Sequence, residues 1–186
     1  MIPDFRPDSW LLRPSRVTVP VPLRPWLTDP ASLTARIRAR CGRFSVRVLG
    51  QRLAPVQRDE AAVLGLRSGA LAWLREVVLE ADGVAVVYAR SVMPRPNLRG
   101  PWNLFTGLGS RPLGAALFAD PRISRQPLHV AWLDGRDRRY HLAARIAPPR
   151  GRGLWARRSV FLLGGRALLV CEVFLPGILD LPHDPL

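Results

Sequence analysis

Between Leu71 and Val92 the chain is apolar almost without pause, broken at Ala81-Asp82-Gly83. Two such runs around an Asp-Gly pair predict a β-hairpin, with strands over 71–80 and 84–92. Pro94 and Pro96 then end the second strand, since proline cannot donate to a ladder. The same pattern predicts a hairpin over 127–146 around Asp134-Gly135 and another over 155–176 around Gly164-Gly165. Phe44, Val46 and Val48 alternate with Arg43, Ser45 and Arg47, which predicts a half-buried strand to about residue 54. Helical spacing is sparser. Thr28-Asp29-Pro30 is a helix start with proline at the first helical position, and Leu33, Ile37 and Cys41 follow on one face with arginines opposite. A short helix is expected from Asp59-Glu60 to Gly65, a helical turn near Trp102–Phe105, and a helix from Ser110-Arg111-Pro112 to about Phe118. Strands that return by short loops, with helices set apart, make an α+β fold on an antiparallel sheet.

Length adds a boundary: 186 residues suit a single domain with a real core. Residues 1–16, rich in Pro and Arg without periodicity, are expected to be a loosely ordered tail with Trp10, Leu11 and Leu12 docking on the body. The domain then runs over 17–180, and 181–186 form a C-terminal tail. No apolar stretch approaches the roughly 18–20 residues that span a bilayer, so no membrane insertion is expected. The N-terminus has no apolar signal region, and Cys41 and Cys171 form no CxxC pair, which predicts reduced thiols in a cytoplasmic protein.

A net charge of +14 ordinarily suggests a nucleic-acid partner. Here all 28 positive charges are arginine, and they are scattered rather than gathered in one stripe with aromatics. No nucleic-acid partner is expected; an acidic small molecule suits the charge better. His129, His141 and His183 stand at no metal-ligand spacing, so no metal site is expected. GxSxG, P-loop, GxGxxG and HExxH motifs are absent from the sequence.

Two lone charges carry the chemistry. Glu172 is the single charge in the thirteen residues from Ala167 to Leu179, flanked by the strand residues Val170, Val173 and Phe174. An unpaired carboxylate there is costly, so it meets either a buried arginine or a ligand. Arg75 shares its strand face with Leu71, Trp73, Val77 and Leu79 and is likewise that face's single charge. Two readings stay open: Arg75 and Glu172 form a buried salt bridge, or both face one cavity and hold opposite ends of an anion. Arginine suits the second because its planar fork grips a carboxylate and stays protonated. The helix start at Ser110-Arg111-Pro112 leaves the N–H groups of Leu113 and Gly114 free for an anion, although on local sequence alone a simple capped helix is the better reading.

Trp73-Leu-Arg-Glu76, Ala81-Asp-Gly83, Arg111-Pro-Leu-Gly-Ala-Ala-Leu-Phe118, Gly153-Leu-Trp-Ala-Arg-Arg-Ser159 and Glu172-Val-Phe-Leu-Pro176 stand in the order found in chorismate pyruvate-lyases. Over roughly residues 26–176 the chain resembles that family. The resemblance implies cleavage of chorismate to 4-hydroxybenzoate and pyruvate, the first step toward ubiquinone in bacteria, without metal or organic cofactor. It implies helical flaps over an internal site. Arg75 and the Leu113 N–H would bind the ring carboxylate, Glu172 would meet the ring hydroxyl, and Leu33 stands where the family has a flap methionine. For the second carboxylate, Arg157, Arg158 and Arg90 are candidates, with strand alternation putting Arg157 and Arg158 on opposite faces. The stretch 119–152 is longer than in the family and carries no transferable motif. A monomer is the expected form. The alternative is a non-catalytic sensing domain, because the lyase fold resembles the effector-binding domains of some bacterial transcription regulators.

Overall fold

The computed structural model describes residues 10–11 and 19–182, without the side chains of residues 104 and 105. Its frame is a seven-stranded antiparallel sheet. The strands are β1 (Phe44–Pro55), β2 (Leu71–Ala81), β3 (Val84–Pro94), β4 (Ser124–Arg125), β5 (His129–Leu133), β6 (Leu154–Leu163) and β7 (Arg166–Phe174). They lie in the order β1-β2-β3-β7-β6-β4, and β5 pairs with the other half of β6. The hairpin β2–β3 turns at Asp82 and Gly83, both at positive φ, as the tight turn requires. Gly164 and Gly165, also at positive φ, turn β6 into β7.

Both faces of this sheet are covered, which is why β2, β3, β6 and β7 read as nearly unbroken apolar runs. On one face lie α1 (Arg24–Thr28), α2 (Leu33–Arg38) and α5 (Leu113–Ala119), with α4 (Asn103–Thr106) in the loop leading to α5. Trp26, Leu27, Leu33 and Ile37 pack there on Val77, Leu79, Ala89 and Phe174, while Leu113 and Leu117 pack near Phe161 and Leu168. On the other face lie α3 (Arg58–Leu64) and α6 (Arg138–Ile146), over Leu74, Val78, Tyr88, Leu169, Cys171 and Val173.

The expected hairpin over 127–146 is not formed. Its first half is β5, but after the Asp134-Gly135 turn the chain enters α6. Asp137 decides this, since its carboxylate caps the helix by accepting from the Arg139 N–H at 2.7 Å and also binds the Arg139 guanidinium. Ala143 and Ile146 then pack on the sheet. The helix expected from Thr28-Asp29-Pro30 starts later, at Ser32, whose Oγ accepts from the Ala35 N–H. Thr28 instead ends α1, and Asp29 folds back to accept from the Ala31 N–H. Because α2 stops at Arg38, Cys41 lies beyond it and is partly exposed, while Cys171 is buried. Pro112 is itself the cap residue of α5, with no side chain of Ser110 closing the end.

Of the docking residues, Trp10 and Leu11 are fixed to the body; Leu12 and His183 lie outside the described residues. Leu11 bridges to Val130, and the Trp10 indole donates to Asp59 at 3.0 Å. Among the described residues no helix is long and apolar enough to cross a membrane.

Candidate active site

Antiparallel register builds the site. On the face under α2 and α5, Val77, Ala89, Glu172 and Arg157 lie in one row across β2, β3, β7 and β6; Arg75, Ser91, Val170 and Ser159 form the next. The central strand β3 contributes only Ala89 and Ser91, so the floor is low. Leu33 and Thr34 of α2 and Leu113, Gly114, Leu117 and Phe118 of α5 roof it. The space between floor and roof is about 580 Å3, counting open solvent at its mouth.

Arg75 is 4% exposed, yet no carboxylate bonds it among the described residues. Its Nη2 donates to the Gly109 and Arg111 carbonyls at 2.9 and 3.1 Å, holding the loop that leads into α5. Its buried Nε has no hydrogen-bond partner among the described residues. Burial without a counter-charge pushes its pKa down. This is an arginine held in position with part of its fork unused.

Glu172 has the buried arginine partner that its apolar surroundings call for. Arg157, directly opposite in the β6–β7 pairing, donates from Nε to its Oε2 at 2.5 Å. Arg157 is itself held by the Trp26 and Asp29 carbonyls, so α1 and the turn after it are pinned to the sheet. Glu172 nevertheless stays in contact with the cavity, with 16% of its side chain exposed and no protein donor on its Oε1 among the described residues. Arg75 and Glu172 therefore share a cavity without forming the salt bridge that was the alternative reading.

The other two arginine candidates are elsewhere. Arg158 points to the opposite face, as alternation requires, and binds Asp59 at 2.7 Å. Arg90 is held bidentately by Glu60 at 2.7 and 3.0 Å and also by Glu76 at 3.0 Å. Burial would raise the Glu76 pKa, but the Tyr88 hydrogen bond and the charges of Arg90 and Arg52 outweigh it and hold it below the ordinary value. Asp59 is lowered in the same way: burial opposes, while Arg139, Arg158 and Trp10 prevail. These charges tie α3, α6 and Trp10 to the back of the sheet.

The sequence pattern did not single out Arg125, on the short strand β4, which also lines the cavity. It lies within 119–152, and only the beginning of that stretch borders the site; α6 packs on the opposite face, while β5 sends Val130 and Trp132 to one face and Ala131 and Leu133 to the other. Phe118, Phe161 and the floor residue Ser91 were likewise not singled out. The Arg157–Glu172 pair, in contrast, had a legible signal, because the two stand seven residues on either side of the Gly164-Gly165 turn. Among the described residues no group of three or more His, Cys, Asp and Glu is placed to hold a metal ion.

A cavity floored by small residues, roofed by two short helices and carrying more arginine than carboxylate is suited in charge to a small organic anion. The fold is shared with solved structures of bacterial regulators. A putative transcriptional regulator from Streptomyces coelicolor matches with a TM-score of 0.53 at 18% identity, covering 77% of this chain and 96% of that one. A GntR-family regulator from Enterococcus faecalis matches at 0.51 and 13% identity, covering 77% and 97%. Residues 8–181 match the family described as Chorismate lyase. A probable chorismate pyruvate-lyase from Aromatoleum aromaticum is 68% identical over 94% of this chain and 96% of its own length. Another from an Azoarcus species is 60% identical over 96% of each. The chain belongs to the chorismate lyase family.

Proposed function

We propose that the protein cleaves chorismate to 4-hydroxybenzoate and pyruvate, acting as a monomer in the cytoplasm at the start of ubiquinone synthesis. The observation that carries this reading is Arg75, buried and without a carboxylate, in the same cavity as Glu172. In this reading Arg75 and the Leu113 N–H hold the ring carboxylate, the former through its unused fork and the latter from the first turn of α5. Leu33 closes on the ring from α2. Glu172 accepts from the ring hydroxyl with the oxygen that Arg157 leaves free.

The reaction then needs little beyond orientation. The C–H proton at the hydroxyl-bearing carbon is lost, and its bonding electrons form the new ring double bond. The neighbouring C–O bond breaks, the enolpyruvyl oxygen keeps that electron pair, and a proton added at the enol methylene gives pyruvate. Aromaticity drives the step, while the arginines offset negative charge developing on the leaving oxygen. The Arg157 contact keeps Glu172 in one place beside the carbon that loses its proton.

The test is to incubate the purified protein with chorismate in the presence of a chelator and follow 4-hydroxybenzoate by absorbance. Stoichiometric 4-hydroxybenzoate and pyruvate are expected. The fold likeness to regulators supports a second reading, a sensing domain, which predicts tight 4-hydroxybenzoate binding with no turnover.

A further inference from the structure

The ligand proposed above is a dianion, and the cavity has a second arginine suited to its second charge. We infer that Arg125 anchors the enolpyruvyl carboxylate of chorismate, and so distinguishes substrate from product; this rests on the reaction proposed above. Arg125 pairs with Phe161 across β4 and β6. Its guanidinium lies 5.5 Å from the Phe118 ring centre and 5.2 Å from that of Phe161, and the two rings meet edge to face at 5.9 Å. Nη1 donates to the Pro30 carbonyl at 2.5 Å. Two rings and one carbonyl fix the plane of the fork before any ligand arrives. Its Nε is buried with no hydrogen-bond partner among the described residues, a state that is costly unless a ligand relieves it.

Charge balance points the same way. The cavity is lined by four charged side chains: Arg75, Arg125, Arg157 and Glu172. Arg157 and Glu172 offset each other, which leaves two guanidinium charges without a carboxylate. Chorismate brings two carboxylates. Burial, and after it the like charge of Arg157, push the Arg125 pKa down to about 10, which still leaves it charged at neutral pH. A carboxylate is what both free charges lack.

Position fits as well. The order β2-β3-β7-β6-β4 places Glu172 on β7 between Arg75 on β2 and Arg125 on β4. In chorismate the hydroxyl is opposite the ring carboxylate, and the enolpyruvyl group is on the carbon next to it. With the ring carboxylate on Arg75 and the hydroxyl on Glu172, the second carboxylate falls at the far end, toward Arg125. Arg157 is less suited, since its Nε and Nη1 are already taken by Glu172 and two carbonyls.

The experiment compares Arg125→Met with the unsubstituted protein, measuring KM for chorismate and Kd for 4-hydroxybenzoate by calorimetry. The ratio of KM to Kd should rise about tenfold or more, because the product has no second carboxylate to lose. Arg125→Lys keeps the charge without the fork, and it serves if the Met variant misfolds; it should raise the same ratio a few-fold. If the unsubstituted protein releases no 4-hydroxybenzoate, the reaction falls and the inference with it. If it turns over normally and the variant's ratio is unchanged, or both ligands weaken alike, the inference alone is overturned.

Discussion

Replacing Arg75 with methionine should separate binding from stability. Among the described residues this guanidinium has no counter-charge and one unpaired nitrogen, so its burial is unfavourable by roughly several kcal/mol. Against that stand two hydrogen bonds to the Gly109 and Arg111 carbonyls, together worth about 3–6 kcal/mol for a charged donor. These terms nearly cancel, and methionine keeps the packing of the stem. The melting temperature should change by no more than about 4 °C, given roughly 2–4 °C per kcal/mol at this size. Binding has no such compensation. Truncating one partner of a buried charge pair costs about 2–5 kcal/mol, so 4-hydroxybenzoate affinity should fall roughly 30- to 5,000-fold. Differential scanning fluorimetry reads both quantities in one plate. At 100 times its Kd the ligand contributes about 2.7 kcal/mol, which raises the melting temperature of the parent by roughly 5–11 °C. The variant at the same concentration should rise by no more than about 3.5 °C. A variant that melts like the parent and gains the same ligand shift would refute the carboxylate clamp. One that loses more than about 8 °C without ligand would refute the cancellation.

Other outcomes follow from the same geometry. Glu172→Gln keeps the shape but removes the charge facing Arg157, and turnover should fall about 100- to 10,000-fold; turnover within threefold of the parent would remove Glu172 from the chemistry. Trp10→Ala loses the bond to Asp59 and the stacking of Arg158 at 4.2 Å and Arg139 at 5.2 Å. It should lower stability by about 2–4 kcal/mol in thermal melts, while the Kd for 4-hydroxybenzoate, bound on the opposite face, stays unchanged. Asp59 and Glu76 have folded pKa values below their ordinary 3.8 and 4.5, so the unfolded chain takes up their protons first. Their stabilisation is complete above those ordinary values and is lost as pH falls through the folded ones. Melting temperatures scanned from pH 6 to pH 3 should drop steeply at the acid end, and Glu76→Gln should flatten the drop.

The parts of the site readable from sequence are those on long strands. Period-two alternation put Arg75 and Glu172 on apolar faces and separated Arg157 from Arg158, because a buried strand leaves each side chain one choice of side. Arg125 had no such signal. Its strand is two residues long, and its surroundings come from Pro30, Phe118 and Phe161, brought together by the fold. The missed helix α6 failed for a related reason. His129–Leu133 is a strand beside an Asp-Gly turn, and Tyr140–Ile146 has enough apolar residues to be either strand or helix; the cap by Asp137 settles it. The doubt over Glu172, partner or ligand, rested on treating these as exclusive. One carboxylate oxygen has its arginine and the other has none.

The low floor of the cavity has a further consequence. The floor is low because β3 carries Ala89 and Ser91 where the strands beside it carry Val77, Arg75, Glu172 and Val170. Valine at both positions would therefore fill the cavity from the floor while leaving the strand register in place. Loss of the chemistry is thus two substitutions away from a protein whose strands still pair, and neither of them touches a charged residue of the site.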